Sequence, residues 1–116
     1  RIRMVNSKGV ISTVVGTGIQ GYSSTPKLAI NADLYQPKGL VLDGDENIFF
    51  TDECIIRKVT RSTGMIETIA GSTVTDCGYS GDNGLAINAK IQSVALKNWP
   101  SYFLGIYCLH RTIDLN

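Results

Sequence analysis

The sequence predicts an all-β fold, and three observations carry that prediction. Short runs rich in β-branched residues, such as 10–15 and 48–52, recur between clusters of Gly, Asn and Asp. No stretch of ten or more residues carries a 3.6-residue apolar period. A glycine-rich segment is also written twice. Gly21-Tyr22-Ser23 followed by Ala29-Ile30-Asn31-Ala32 returns as Gly78-Tyr79-Ser80 followed by Ala86-Ile87-Asn88-Ala89.

Taken in order, residues 1–5 read as a strand, Asn6-Ser7-Lys8-Gly9 as a turn, and 10–15 as a second strand that closes a hairpin. Residues 16–32 form a long connection, with a short helical turn expected near 28–34. Gln36-Pro37-Lys38-Gly39 is a turn. Leu40-Val41-Leu42 has the unbroken apolar pattern of a strand buried on both faces. After the polar turn Asp43-Gly44-Asp45-Glu46-Asn47 come strands at 48–52 and 55–60, joined by a very tight link. The turn Arg61-Ser62-Thr63-Gly64 then leads to a strand at 65–70.

The repeat extends through these elements. Ile2-Arg3 with Val5 matches Ile56-Arg57 with Val59, and Gly9, Thr13 and Gly16 match Gly64, Thr68 and Gly71. The offset runs from 54 (56 − 2) to 57 (78 − 21). Four short strands and one long connection fill such a period, which is the make-up of a β-propeller blade. A lone blade cannot bury both faces of its sheet, so it implies neighbours. The expected fold is an incomplete β-propeller of about one and a half to two four-stranded antiparallel blades. Residues 1–33 supply a partial blade, 34–91 one blade with its linker, and 92–116 a degenerate blade start or a non-native tail.

These residues resemble the NHL-repeat family of β-propellers. Pro37-x-Gly39-Leu40-Val41-Leu42-Asp43, Asn47-Ile48-Phe49-Phe50-Thr51-Asp52, Ile56-Arg57-Lys58-Val59 and Ile66-Glu67-Thr68-Ile69-Ala70-Gly71 are similar to its four blade strands. The loop Gly78-Tyr79-Ser80-Gly81-Asp82-Asn83-Gly84 with Ala86-x-Asn88-Ala89 is similar to the linker of a subset that includes teneurin-like ectodomains and microbial and protist arrays. The likeness covers residues 1 to about 91 and fails beyond Ile91. The family's Asn and Arg between the second and third strands are missing, and the link there is about two residues short. That departure puts the usual polar tie between those strands in question. The first loop copy also lacks the Gly-Asp core of the second.

Eleven Lys and Arg against ten Asp and Glu leave a net charge of +1. That balance argues against nucleic acid or an anionic membrane as a partner. No apolar run approaches the roughly 20 residues of a membrane helix. The opening Arg1-Ile2-Arg3-Met4-Val5 has mid-strand character and no initiating Met, so it reads as part of something longer, without a signal peptide. Cys54, Cys77 and Cys108 form no C-x-x-C pair and are expected to be buried free thiols, with one disulfide as the alternative.

Gly16-Thr17-Gly18-Ile19-Gln20-Gly21 spells G-x-G-x-x-G, but a dinucleotide site needs a helix to start there, and Tyr22-Ser23-Ser24-Thr25-Pro26 is poor helix. It reads as an inter-blade loop. Asp43, Asp45 and Asn47 begin like a calcium loop, yet Ile48 stands where Gly is required. They read as a strand-to-strand turn. Asp76, Asp82 and Asn83 read as a loop bonded to itself. Arg1, Arg3, Arg57, Lys58 and Arg61 read as charges on a solvated sheet face, with RNA contact as the alternative. His110 stands alone without a catalytic partner.

The residues singled out are therefore those of the linkers and the repeat: Gly21, Tyr22, Ala29, Asn31, Gly39, Asp43, Asp52, Gly71, Gly78, Tyr79, Gly81, Asp82, Gly84, Ala86 and Asn88. Tyr22 and Tyr79 are expected to anchor each linker on the neighbouring blade. No catalytic residue, cofactor or metal is expected. The resemblance implies a non-enzymatic scaffold that binds a protein partner, slightly favours an extracellular or cell-surface setting, and requires further blades from a longer chain or from association. The alternatives are a fragment of a metal-dependent propeller lyase or hydrolase, or a degenerate copy without function.

Overall fold

The computed structural model describes residues 1–23 and 26–92, together with the backbone of 94–99, 103–108 and 111–114. Strands β1 (Ile2–Val5) and β2 (Ile11–Val15) pair antiparallel as the predicted hairpin. Its turn is closed by Asn6, whose Oδ1 accepts from the N–H of Lys8 at 2.9 Å and of Val10 at 3.0 Å. Gly9 supplies the positive φ there.

The central sheet contains β3 (Lys27–Leu28), β4 (Pro37–Leu42), β5 (Ile48–Asp52), β6 (Ile55–Val59) and β7 (Met65–Ala70), in the order β3-β7-β6-β5-β4. The four predicted strands β4–β7 form an antiparallel meander. The pairings Phe50↔Arg57 and Arg57↔Thr68 fix its register. β3 is a fifth strand within the predicted connection, because two residues carry too little pattern to mark a strand. The expected helical turn near 28–34 is a 3-10 turn at Ala29–Asn31, and its repeat stands at Ala86–Asn88. A third sheet holds β8 (Val94–Trp99), β9 (Phe103–Cys108) and β10 (Arg111–Asp114), in the order β10-β9-β8. The three sheets do not close on one another. The described residues are all β apart from the 3-10 turns, and the architecture is that of an incomplete propeller.

Successive residues of a strand face opposite ways, so Phe49 and Phe50 enter two different cores. Phe49 joins Val41, Ile56, Ala70 and Ile91 on one face. Phe50 joins Val59 and Ile66 on the other, packed on Val15 of the hairpin and on Ala29, Ala32 and Leu34 of the first linker. The central sheet is thus buried on both sides, each time with help from a linker residue. The inner strand β4 departs from expectation. Val41 is buried, but Leu40 is 45% and Leu42 46% exposed, because their face looks into a groove rather than onto packed side chains.

Candidate interaction surface and its linkers

The two linkers make the same hydrogen bonds. Gly16 N–H donates to Ala29 O and Gly71 N–H to Ala86 O, both at 3.0 Å. Ala32 N–H donates to Ala29 O and Ala89 N–H to Ala86 O, both at 3.2 Å. Gly21 N–H donates to Leu34 O at 3.1 Å, and Gly78 N–H to Ile91 O at 3.4 Å. The repeat read from the sequence is therefore a repeat of backbone geometry.

Gly71 sits at φ +90°, and a Cβ there would collide with Cys54 O and come within 2.9 Å of Ile55 Cα. Both are backbone atoms and cannot swing away. Gly71→Ala should lower stability by about 1–3 kcal/mol. Gly44→Ala, with nothing within 4 Å of its added Cβ, should stay within about 0.5 kcal/mol of wild type. Urea unfolding of the two variants checks this, and equal midpoints would refute it.

Within the second loop, Gly81 (φ +94°) lies under Ala89, whose Cα would be 2.9 Å from an added Cβ. Gly84 N–H donates to Gly81 O, and Asn88 N–H to Leu85 O, each at 3.0 Å. Asp82 lies on the exposed side of this loop. Asp76 is taken up by Lys90 Nζ at 2.9 Å and Ser72 Oγ at 3.3 Å. The hydrogen bond from Lys90 holds its carboxyl below the usual range. Gly39 lies at the register shift of β4. Gly21 is packed on Asp33, whose Cβ would lie 3.3 Å from an added Cβ.

The turn at 43–47 is bonded as the local reading expected. Asp43 Oδ1 accepts from the N–H of Asp45 at 3.0 Å and of Asn47 at 2.9 Å, and Oδ2 accepts from Asn47 Nδ2 at 2.9 Å. Glu46 takes the positive φ. Partial desolvation opposes ionisation of Asp43, but these hydrogen bonds outweigh it and keep the carboxyl below the usual range.

Tyr22 lies against the central sheet. Its ring lies 5.5 Å from Arg57 Cζ, and its hydroxyl is 3.5 Å from Thr68 Oγ1. Its repeat Tyr79 is about half exposed, so the two tyrosines do not share one environment. The same contrast separates Ala29, buried between the hairpin and the central sheet, from exposed Ala86. Asn31 and Asn88 are exposed in their 3-10 turns.

A polar tie between β5 and β6 exists despite the shortened link. Asp52 and Arg57 are fully buried, with Arg57 Nη1 3.7 Å from Asp52 Oδ2. Asp52 also accepts from the N–H of Tyr35 at 2.9 Å and of Gln36 at 2.6 Å. Arg57 donates to Asp33 O at 3.2 Å and Ser23 O at 3.3 Å. Burial pushes the Asp52 carboxyl up, against the pull of those two amides and Arg57. Burial likewise pulls the Arg57 guanidinium down, against Asp52. Arg57 therefore belongs to no solvated basic stripe. Lys58, on the opposite face, stacks 5.7 Å from the centre of the Phe49 ring. The alternating directions of neighbouring strand residues divide what looked like one charge run.

The cysteine expectation is corrected as well. Cys54 and Cys77 are joined in a disulfide with their Cα atoms 5.2 Å apart. Cys54 is buried and Cys77 is exposed. Spacing alone could not show this, because the strand β7 between them returns the chain to the β5–β6 turn. Glu53 brings a carboxylate oxygen within 4.8 Å of both sulfurs, but sulfurs bonded to each other offer no thiolate ligand. The Cys108 side chain lies outside the described residues, as does His110.

Among the described residues, no helix is long and apolar enough to cross a membrane. No curated protein matches the chain. The family model of the Teneurin NHL domain matches residues 25–113. That match runs past Ile91, where the sequence resemblance fails, and takes in β8, β9 and most of β10. Their lost Pro and Gly signals hid strands that the family pattern still accommodates. With two linkers repeating one hydrogen-bond scheme and a match over most of its length, the chain belongs to the teneurin NHL domain family.

Proposed function

We propose that this chain is a non-enzymatic propeller module whose rim binds a protein partner. One observation carries the reading. Leu28 (48% exposed) and Ile30 (45%) recur one repeat later as Leu85 (69%) and Ile87 (41%). The first pair stays in water although Ala29 between them is buried, so these apolar side chains are not simply waiting for a blade to cover them. A pair presented once per repeat suits an extended or multivalent protein ligand. The described carboxylates Asp43, Asp52 and Asp76 are engaged in turns and ties, which also favours a scaffold over a hydrolytic centre. The Cys54–Cys77 disulfide supports an oxidising, extracellular setting.

The test is a screen of immobilised protein against an array of secreted and cell-surface ectodomains. Saturable binding that falls about tenfold or more in Leu28→Glu/Ile30→Glu and in Leu85→Glu/Ile87→Glu is the expected result. Binding indifferent to both pairs would overturn it, as would one stoichiometric metal ion accompanied by ester or phosphate turnover.

A further inference from the structure

Only Glu53 and Cys54 stand between β5 and β6. Glu53 takes the first position of this hairpin turn at φ +54°, where glycine costs least. The fold thus holds a carboxylate at a place that disfavours any side chain. A carboxylate oxygen of Glu53 and the sulfurs of Cys54 and Cys77 all lie within 4.8 Å of one another. Lys38 Nζ reaches Glu53 Oε2 at 3.1 Å, the kind of outer hydrogen bond that a metal-binding carboxylate keeps.

More than their own bond brings the two cysteines together. Gly71 lies so close to Cys54 O that a Cβ there would collide with it. On the other side, Asp76 is tied to Lys90 and Ser72, and its N–H donates to Thr73 Oγ1 at 3.1 Å. Gly78 N–H donates to Ile91 O at 3.4 Å, and Val74 and Ile91 are buried. Cys77 is therefore flanked by anchored residues and stays over the turn when the sulfurs part. Two thiolates on one tetrahedral Zn²⁺, at bonds of about 2.3 Å, stand about 3.8 Å apart. With Cα atoms 5.2 Å apart, side-chain rotation supplies that spacing. Cys77 is exposed, so water can take the fourth position.

We propose that the β5–β6 turn is a redox-gated site for a thiophilic divalent cation of the Zn²⁺ class, held by Cys54, Cys77 and Glu53 when the disulfide is reduced. Reduction by a dithiol breaks the S–S bond, passes two electrons to the sulfurs and leaves the donor as its own disulfide. The cation then displaces the two thiol protons and binds both thiolates and the carboxylate. Oxidation by a disulfide reverses this: the S–S bond re-forms, the oxidant leaves as two thiols and the cation is released. Two soft thiolates select Zn²⁺ or Co²⁺ over Ca²⁺ and Mg²⁺, which require oxygen ligands. The disulfide and the metal are alternative clasps on one seam, joining the β5–β6 turn to the second linker. The site is separate from the rim pairs 28/30 and 85/87. Metal bound without ester or phosphate turnover leaves the scaffold reading in place, so the two stand or fall independently.

The full chain, in a Cys108→Ser background, is reduced with a phosphine, freed of it under argon and titrated with Co²⁺. The expected result is one equivalent bound, with a thiolate-to-cobalt charge-transfer band and tetrahedral d–d bands. The oxidised chain and Cys54→Ser/Cys77→Ser should give neither band. Glu53→Gln keeps the turn's shape and should weaken binding about tenfold or more. Zn²⁺ should raise the urea midpoint of the reduced chain above its value in chelator, and restore hydrogen-exchange protection at 72–90. It should leave the oxidised chain unchanged. A reduced chain that Zn²⁺ leaves at its metal-free midpoint, or leaves unfolded, overturns the proposal. So does metal bound equally by the oxidised chain or by Cys54→Ser/Cys77→Ser, or affinity indifferent to Glu53→Gln.

Discussion

Asp52→Ala should be among the most destabilising single changes in the chain, costing about 3–5 kcal/mol at neutral pH. The carboxylate is fully buried against Arg57 and accepts two backbone N–H bonds. Its removal strands a buried guanidinium and two amides. Arg57→Met in the same chain removes the stranded charge, so Asp52→Ala/Arg57→Met should recover most of the loss. Urea midpoints of wild type, both single variants and the double variant decide it. A double variant as unstable as the sum of the singles would refute the pairing. The pH dependence has a definite sign. Burial raises the Asp52 carboxyl above its ordinary value of 3.8, so the folded chain keeps this proton after the unfolded chain has lost it. Stability from this group therefore falls as pH rises from 3.8 to the folded value, and is level above it. Asp52→Asn should flatten that segment of the curve.

Reducing the Cys54–Cys77 disulfide should cost about 3 kcal/mol by the chain-entropy relation for a loop of this size, the two cysteines being 23 residues apart. The closed loop contains β7 and the first residues of the second linker, so the loosening should concentrate at 72–90. Urea titrations with and without reductant give the global effect, and hydrogen exchange of that segment gives the local one. Cys54→Ser/Cys77→Ser should match the reduced protein and ignore the reductant. A midpoint that reductant leaves in place would contradict a stabilising crosslink.

Local chemistry makes most of the fold legible in the sequence. The strands at 48–52 and 65–70 are bounded by turn residues whose conformational demands are short-range, and the repeat fixed their order. What escaped notice depends on contacts distant in sequence. Arg57 looks like a surface charge until Asp52, Asp33 and Ser23 are seen to converge on it. Cys77 finds Cys54 only after β7 turns the chain back. Leu40 and Leu42 carry the pattern of a doubly buried strand, yet both are nearly half exposed, because what covers a strand face is set by packing distant in sequence. Among the site residues, Gly71 and Gly81 were legible because close backbone approach demands glycine. The different fates of Tyr22 and Tyr79 were not, since identical sequence meets different surroundings.

The paired linker bonds have a consequence for how such a chain can change over time. Gly16 and Ala29 are 13 residues apart, while Gly71 and Ala86 are 15 apart, yet both pairs close the same 3.0 Å bond. The span between those two fixed points can therefore differ by two residues while the bond that closes it is kept. Selection can change the loop's length as long as the residues that tie it down, Tyr22 and Ser23 on Arg57 in one copy and Cys77 on Cys54 in the other, hold their places.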